Sequence, residues 1–494
     1  MQITNEWTEL AKSISFRKQM FINGDYVNAL SGKTFDAISP IDQSILTSIS
    51  AAQSEDVDLA VKSAKKAFDS GIWRDMNPRD KKEIMLRWAD LVRANYKELA
   101  LLETLEVGKP IGDTSSYDAL AVARNIQWYA ETIDKTYDEI APAPKSALAM
   151  ITREPLGVIG AIVPWNYPNV IASWKFAPAI AMGNSIVLKP SEESTLATLR
   201  IAELAVEAGL PHGVFNVVTG LGHEAGKALA QHPDVAKIAF TGSTAVGRMM
   251  LQYAADSNMK QVSLELGGKS AQVVLNDVVD LDAAASTIAW GIFYNSGQTC
   301  NAGSRVIVQA EIKDALFAKL NDFVKTFRCG HPLDPQTQMG PVVSLKQRDR
   351  VNSYLDQVGT AGERFIFGGK KPSGNDCNFE PTLIDGVAHD SKLAQEEIFG
   401  PVIVAEIAKD EAHALELANG TNYGLAASVW SGNISKAHNF ARKLRAGTVW
   451  INTFDMSDVI TPFGGFKNSG SGRDKSLHAL DAYSALKTTW VDLN

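Results

Sequence analysis

The run LGVIGAIVPWNYP, residues 156–168, combines a short apolar segment that ends in proline with the start of a helical pattern. Similar apolar runs recur at residues 186–188, 214–218 and 236–240, each ending near Pro, Gly or Ser. Short apolar runs that alternate with amphipathic segments are typical of βαβ units around a mostly parallel sheet. The sequence therefore predicts an α/β fold with ligand-binding turns at the carboxyl ends of these strands.

A second alternating region begins with an apolar run at residues 271–275, continues through a candidate helix at 281–294 and ends near residue 451. We interpret it as a separate α/β domain. Two other segments, residues 137–152 and 481–494, contain the alternation of apolar and polar residues that is typical of β-strands. Unpaired edge strands of this kind favour pairing with another subunit.

The composition is that of an ordinary soluble globular protein, with 45% hydrophobic and 21% charged residues among 494. The net charge is −8 and the basic residues are scattered, which excludes a nucleic-acid or anionic-membrane surface. No stretch has the pattern of a signal peptide, a membrane span or a metal site. Three widely separated cysteines fit reduced thiols, so we expect a cytoplasmic protein.

Cys300 lies between two glycines in the run FYNSGQTCNAG, residues 293–303. Glycines leave space for a ligand to approach, and the upstream run LELGGKS, residues 264–270, supplies the carboxylate of Glu265. A thiol nucleophile and a general base that activates water would use such a pair. A lone cysteine is more often a buried small apolar residue, so the two runs alone leave both interpretations open.

A candidate cofactor site follows the strand at residues 236–240. The run GSTAVG, residues 242–247, opens a helix whose N–H groups can hold a pyrophosphate, although its spacing is not G-x-G-x-x-G and an ordinary turn explains it as well. After a neighbouring strand, Lys189 and Glu192 supply a cation and a carboxylate suited to ribose hydroxyls. A solvated turn would contain the same residues.

Several longer motifs complete the pattern: PWNYP at residues 164–168, LKPSE at 188–192, FTGST at 240–244, EEIFGP at 396–401 and PFGGFK at 462–467. Together with the cysteine and glutamate runs, and in this order, they resemble the motifs of aldehyde dehydrogenases over nearly the whole chain. The tail SGSGRDKSLHAL, residues 469–480, is similar to that of bacterial enzymes that oxidise ω-amino, guanidino or γ-glutamylamino aldehydes.

The resemblance implies three structural parts. They are a Rossmann-like NAD-binding domain (residues 1–136 and 153–266), an α/β catalytic domain (267–468) and a small β oligomerisation flap (137–152 and 481–494). The resemblance also implies a homodimer or homotetramer.

The resemblance further implies that Cys300 attacks the aldehyde, that hydride leaves for the nicotinamide, and that Glu265 activates water to hydrolyse the thioester. The amide of Asn166 and the backbone N–H of Cys300 are the implied oxyanion donors. Flanking prolines would also explain Asn166 as a turn residue. Lys175 and Asp474 match positions that the family uses for proton handling, where glutamate is common in place of Asp474.

The residues implied to bind NAD, with NADP possible, are Trp165, Lys189, Ser191, Glu192, Gly222, Gly242, Ser243, Glu397 and Phe399. A carboxylate at Glu192 would repel a 2′-phosphate. The residues implied to bind substrate are Asp118, Tyr167, Trp174, Tyr294, Asn301, Phe454, Asp458 and Phe463, with Phe293 and Asp455 as further candidates. The aromatic side chains suit an elongated, partly apolar chain, and the aspartates suit a cationic end, although a solvated loop would also contain them.

Other functions stay open. An arylacetaldehyde such as indole-3-acetaldehyde would fit an aromatic funnel as well. A catalytically silent homologue is disfavoured by the intact Cys300, Glu265 and Asn166. A dicarboxylic semialdehyde would need arginines in the funnel, and the family places Arg305, which is close to the motifs, elsewhere.

Overall fold

The computed structural model describes residues 5–494, in which two large sheets are each flanked by helices. The first sheet has eight strands, in the spatial order Asp25–Val27, Met20–Ile22, Phe215–Val217, Ser185–Lys189, Val158–Ile162, Val235–Thr241, Gln261–Glu265 and Gly470–Ser471. Its five central strands are parallel and the outer ones antiparallel. Four of these central strands are almost entirely buried, which explains their continuous apolar runs, whereas only the last two residues of Gln261–Glu265 are buried.

Helices of this half of the molecule are Glu6–Ser13, Ser54–Asp69, Pro78–Ala94, Tyr96–Val107, Ile111–Asp113, Ala119–Thr132, Pro168–Ala181, Leu196–Glu207, Lys227–Gln231, Thr244–Ala255 and His478–Asp481. Short π-helical turns at Thr114–Asp118 and Gly222–Gly226 join some of them. Pro168 occupies the first turn of its helix, where the missing N–H costs nothing.

The second sheet has seven strands, in the order Arg364–Phe367, Thr382–Asp385, Val402–Ala408, Arg305–Gln309, Ala271–Val274, Ala426–Trp430 and Thr448–Ile451. All neighbours are parallel except the first pair. Its helices are Leu281–Phe293, Lys313–Val324, Leu345–Leu355, Lys392–Gln395, Glu411–Asn419 and Ile434–Ala441, with short 3-10 turns at Tyr294–Gly297 and Ala310–Ile312. Arg305 is buried here in an ion pair with Glu406 (2.9 Å).

A third, antiparallel sheet consists of Glu139–Ala141, Ala147–Pro155 and Ser484–Asp492. The C-terminal strand lies at its edge and carries the exposed side chains of Leu486 and Trp490. Two small two-stranded sheets pair Thr34–Ile38 with Ile45–Ser50, and Tyr423–Gly424 with Phe466–Lys467.

The α/β architecture predicted from the sequence is confirmed. Predicted strands at 158–163, 186–188, 214–218, 236–240 and 271–275 correspond to strands of the two large sheets, and the predicted helix at 281–294 corresponds to Leu281–Phe293. Among residues 5–494, no helix is both long and apolar enough to cross a membrane.

The two large sheets are joined by a short connection that positions the site. Gln261–Glu265 is the last parallel strand of the first sheet, and only five residues separate it from Ala271–Val274, a strand of the second sheet. The loop between Leu281–Phe293 and Arg305–Gln309 carries Cys300 back to this connection. Cys300 and Glu265 therefore approach the same region from opposite sheets.

Candidate active site

Two cavities meet at Cys300. The smaller, of about 180 Å³, lies beside the carboxyl ends of the first sheet and the larger, of about 550 Å³, lies beyond the cysteine. Cys300 and Ile171 line both of them. A sulfur atom at this junction can contact one ligand from each side.

A strained turn presents Cys300. Asn295, Ser296 and Gly297 all have left-handed backbone angles, with φ of 47°, 56° and 71°. A Cβ at Gly297 would overlap the carbonyl of Gly400, so glycine is required there. The turn is held from outside, because the Gln298 side-chain oxygen accepts a hydrogen bond from the Val343 N–H at 2.8 Å. Such strain persists only where the surrounding structure enforces it.

Asn166 is tied to the same turn. Its side chain is buried, 3% exposed, and its Nδ2 donates to the carbonyl of Gln298 at 2.9 Å. The amide of Asn295 donates in turn to the carbonyl of Asn166 at 3.0 Å. Among the described residues, the second N–H of the Asn166 amide and the backbone N–H of Cys300 have no acceptor. Both groups are available to a ligand oxygen.

The Cys300 thiol is a weak acid in this setting. Burial raises its pKa well above the ordinary value, and the carboxylates of Glu397, Glu265 and Asp455 raise it further. The backbone N–H of Asn301 opposes this by stabilising the thiolate. The resting thiol is therefore protonated near neutral pH, and its attack on an electrophile requires a base.

Glu265 is the candidate for this base. It is 4% exposed, and neither carboxylate oxygen has a hydrogen-bond partner among the described residues. Burial raises its pKa well above the ordinary value, Asp474 adds to the increase, and Lys175 and Arg473 oppose it. A carboxyl group with a raised pKa can accept and release a proton near neutral pH.

Lys175 and Asp474 form a buried ion pair behind Glu265, with Nζ and Oδ2 at 2.8 Å. Lys175 comes from Pro168–Ala181, and Asp474 is held by a two-way backbone hydrogen bond with Phe463 (2.7 and 2.8 Å). The aspartate reaches the lysine although it is one methylene shorter than glutamate.

The smaller cavity is lined by Trp165, Gly242, Ser243, Glu397 and Phe399, five of the residues predicted to bind the cofactor. Ser243 is exposed and caps Thr244–Ala255, because its Oγ accepts from the Val246 N–H at 3.3 Å. The exposed start of this helix is a suitable place for a phosphate.

Glu397 and Phe399 form the opposite wall. An oxygen of Glu397 accepts from the Gly268 N–H at 2.9 Å, and burial raises the pKa of this carboxyl to about 7. Phe399 has a left-handed φ of 61° and packs edge-on against Trp165, with ring centroids 5.3 Å apart.

Four predicted cofactor residues lie outside this cavity, around the end of Ser185–Lys189. The Nζ of Lys189 donates to the Pro190 carbonyl at 2.7 Å and pairs with Glu192 at 3.4 Å, and burial lowers the pKa of Lys189. Ser191 donates to Glu193 at 2.6 Å. A Cβ on Gly222 would meet open space, so a flat ring could lie against it. These groups, with the exposed helix start and the cavity, fit an extended dinucleotide.

Sequence reasoning did not find Gln347 and Arg350, which also line the smaller cavity. Both come from Leu345–Leu355. Gln347 donates to the Phe399 carbonyl and Arg350 to the Glu397 carbonyl, each at 2.7 Å. They fix the turn that carries Glu397, and no local motif marks them.

Six of the predicted substrate residues line the larger cavity: Tyr167, Trp174, Tyr294, Asn301, Phe454 and Phe463. Asp455, a further candidate, lies in the cavity wall and accepts from the Asn301 amide at 2.6 Å. The Asp455 side chain is exposed to solvent, and the cavity wall around it raises its pKa by displacing water, whereas the Asn301 hydrogen bond opposes this. Because Asn301 follows Cys300 in the chain, this hydrogen bond ties the Asp455 loop to the segment that carries the nucleophile.

The structure does not bring Asp118, Asp458 and Phe293 to the cavity. Asp118 is fully buried in an ion pair with Lys109 at 2.6 Å, and the Lys109 ammonium lies 3.7 Å from the Tyr167 ring centroid. Asp118 thus supports the wall from behind. Asp458 is exposed in its loop, where it accepts from the Ile460 N–H at 3.2 Å.

Phe293 is a core residue. It is fully buried and packs against Phe327 and Phe367 in the interior of the second sheet. Cavity-lining residues that sequence reasoning did not assign to substrate include Tyr117, Trp290, Trp450, Met456 and Lys475. The last of these stands in the quoted tail motif, next to Asp474.

Comparison with known proteins identifies the family. The sequence profile of the aldehyde dehydrogenase family matches residues 26–489. The chain is 47% identical to the NADP/NAD-dependent aldehyde dehydrogenase PuuC of Escherichia coli strain K12, over 99% of this chain and 98% of the relative.

Two solved structures superpose with a TM-score of 0.97 and 99% coverage of both chains. One, 50% identical, is the gamma-glutamyl-gamma-aminobutyraldehyde dehydrogenase of Burkholderia cenocepacia J2315. The other, 48% identical, is the P. syringae indole-3-acetaldehyde dehydrogenase AldA in complex with NAD+ and IAA. The resemblance seen in the motifs is confirmed: this chain belongs to the aldehyde dehydrogenase family and is an oxidoreductase that acts on aldehydes.

Proposed function

We propose that this enzyme oxidises an ω-amino, guanidino or γ-glutamylamino aldehyde to the carboxylic acid, with NAD as acceptor and NADP as a second possible acceptor. One observation carries the substrate class: a carboxylate, Asp455, faces the larger cavity beside Cys300. An ammonium or guanidinium group beside this carboxylate and the aromatic walls would gain about 0.5 to 2 kcal/mol per contact.

In the first half of the reaction, Cys300 acts as the nucleophile. Glu265 takes the thiol proton, the thiolate attacks the aldehyde carbon, and the carbonyl oxygen becomes an oxyanion. Asn166 and Cys300 each have a free N–H group that would donate to this oxyanion. The bound cofactor supplies the hydride acceptor.

The second half belongs to Glu265. Once a thioester has formed on Cys300, a water molecule must lose a proton as it attacks the acyl carbon. Glu265 has two carboxylate oxygens without partners and a raised pKa, and both features suit a base that acts on water. We assign Lys175 and Asp474 as positioning residues that adjust the charge around Glu265.

The cofactor assignment is supported by the residues of the smaller cavity and of the turn after Ser185–Lys189. Ser243 and the start of Thr244–Ala255 would hold the pyrophosphate, Lys189 and Glu192 a ribose, and Glu397 with Phe399 the nicotinamide end. The carboxylate of Glu192 would repel a 2′-phosphate and so favours NAD. NADP stays possible because the relative PuuC is described as NADP/NAD-dependent.

An arylacetaldehyde is the second candidate substrate. The larger cavity is lined by three indole rings, Trp174, Trp290 and Trp450, as well as by phenyl rings. Such walls suit a flat aromatic substrate, and one of the similar structures is an indole-3-acetaldehyde dehydrogenase.

We propose that residues 1–136 and 153–266 form the cofactor domain and residues 267–468 the catalytic domain. The distribution of strands between the two large sheets supports this division.

We propose that residues 137–152 and 481–494 form a flap that joins subunits into a dimer or tetramer. Leu486 and Trp490, on the edge strand of the third sheet, are 63% and 61% exposed, as expected for residues covered by another subunit.

We also propose a cytoplasmic location. The nucleophile must be a free thiol, and all three cysteines are free, which suits a reducing compartment. Fractionation of expressing cells checks this, and recovery in a secreted or periplasmic fraction would contradict it.

The Lys175→Met substitution should move the acid limb of the kcat–pH profile to higher pH. Lys175 lowers the pKa of Glu265, so removal of its charge raises that pKa, and the deprotonated base is then reached only at higher pH. Lys313→Met, which removes a lysine paired with Asp385 in the second sheet, is the control. An unchanged or acid-shifted limb would show that the pair does not act on Glu265.

The substrate class is tested by kcat/KM for 4-aminobutyraldehyde, 4-guanidinobutyraldehyde, a γ-glutamylated aminoaldehyde, indole-3-acetaldehyde and hexanal. Cationic or glutamylated aldehydes should lead by about tenfold or more. Asp455→Asn should reduce that lead about tenfold, as expected when a hydrogen-bonded charged group loses its partner. The control Asp458→Asn, outside the cavity, should leave the ranking unchanged. A lead by indole-3-acetaldehyde or hexanal would favour the second candidate.

The subunit contact is tested by a Leu486→Asp/Trp490→Asp double substitution, measured by sedimentation velocity. Two buried charges would weaken the contact, so the double variant should sediment as a smaller species than the parent enzyme. Ile434→Asp, which changes an equally exposed side chain of the second sheet's helices, should keep the parent mass. If the double variant also keeps the parent mass, the flap does not join subunits.

A further inference from the structure

Lys475 is a buried cation in the wall of the larger cavity. The residue is only 3% exposed, and it is one of the cavity's lining residues. Its ammonium lies 5.5 Å from the ring centroid of Trp174 and 6.0 Å from that of Phe463. Both aromatic residues also line the cavity, so the Lys475 ammonium lies in the same part of the cavity wall as these two rings.

The backbone delivers Lys475 to this place through a strained turn. Phe463 and Asp474 form an antiparallel bridge, and Lys475 and Ser476 follow it with left-handed φ values of 65° and 54°. The Ser476 N–H donates to the Val459 carbonyl at 2.7 Å, which fixes the turn to the cavity loop. The side chain of Asp474 therefore reaches Lys175, while the next side chain enters the cavity wall. Left-handed backbone at a lysine is costly and is concentrated at ligand sites.

The ammonium of Lys475 has no hydrogen-bond or ion-pair partner among residues 5–494. Burial lowers its pKa, and the charges of Asp455, Asp458 and Asp474 oppose this from a distance. An unpaired buried ammonium is expensive, and long lysine stems normally extend to place their charge in water. An anionic group of a ligand would supply the missing partner.

A charge of opposite sign faces the same cavity. Asp455 has one oxygen engaged by Asn301, and it forms no ion pair with Lys475 in the described part of the chain. The charge of Asp455 raises the pKa of Lys475, although the two side chains form no hydrogen bond. Space between a cation and an anion that do not pair suits a ligand that carries both signs.

We infer that Lys475 binds a carboxylate at the far end of the substrate while Asp455 binds an ammonium, so that the enzyme selects aldehydes with an α-amino acid head group. A γ-glutamylated aminoaldehyde has this head group. The inference rests on the proposed function and narrows it, because a simple ω-aminoaldehyde presents only a cation, which Lys475 repels. A purely apolar aldehyde would leave the lysine unpaired.

Three amides of 4-aminobutyraldehyde separate the two charges: the γ-glutamyl amide carries both, the 4-aminobutyryl amide lacks the carboxylate, and the glutaryl amide lacks the amine. We expect the γ-glutamyl amide to exceed the 4-aminobutyryl amide in kcat/KM by about 10- to 100-fold in the parent enzyme, since charged hydrogen bonds are worth this much. In Lys475→Met the ratio of these two kcat/KM values should fall to near one, because methionine keeps an unbranched side chain and removes the charge. Lys475→Arg should preserve most of the ratio.

Two results would overturn the inference: a parent ratio near one, or a large ratio that Lys475→Met leaves unchanged. The glutaryl amide tests Lys475 without the amine, and it should lose activity in Lys475→Met and keep it in Asp455→Asn. Hexanal turnover by each variant reports whether folding and chemistry are intact. Failure of the proposed function has a different signature, namely that indole-3-acetaldehyde or hexanal exceeds every charged aldehyde in the parent enzyme.

Discussion

The geometry of the site depends on the close approach of the Gly267–Gly268 backbone to the loops that carry Cys300 and Glu397. A Cβ at Gly268 would overlap the carbonyl of Cys300, and a Cβ at Gly267 would lie about 2.5 Å from the Glu397 carboxylate. The N–H of Gly268 also donates to Glu397. These two glycines stand one residue after the strand that ends in Glu265, so one short connection sets the mutual positions of the base, the nucleophile and the cofactor wall. Any side chain there would separate them.

Burial of the ionisable groups sets their pKa values and therefore their chemistry. The pKa values of Cys300, Glu265 and Glu397 are all raised by burial, so each group keeps its proton to a higher pH than the same group does in water. Neutral groups can pack closely without the repulsion that three anions would suffer. Lys175, paired with Asp474, opposes the increase at Glu265. The site thus contains a protonated nucleophile and a base whose proton affinity is set by a neighbouring ion pair.

Much of the fold followed from sequence, because buried parallel strands such as Val158–Ile162 and Val235–Thr241 leave continuous apolar runs ending in turn residues. Cys300 and Glu265 stand in glycine-rich motifs for a physical reason, since the close approaches around them exclude side chains. Side-chain direction could not be predicted in the same way. Asp118 sits in the helical region after the Gly108 turn, yet its buried partner Lys109 is brought to it only by tertiary packing.

The substrate end was the least predictable part. Asp458 and Asp455 are both exposed and stand three residues apart in one loop, and nothing local shows that only Asp455 lines the cavity and accepts from Asn301. Lys475 is part of a quoted motif, but the bridge between Phe463 and Asp474 that places it in the cavity wall joins separate loops. The role of such charged side chains can be inferred only from the three-dimensional structure. The structure shows which groups each one contacts and whether its charge is left without a partner.

The mechanism requires that Cys300 carries the acyl group and that Glu265 releases it. Intact-protein mass spectrometry of Glu265→Gln, mixed with NAD+ and hexanal, tests it most directly. We expect slow formation of NADH, because the thiol has lost its base, and a persistent hexanoyl adduct that maps to Cys300, because the amide cannot accept a proton from water. Steady turnover at the parent rate with no adduct would contradict it.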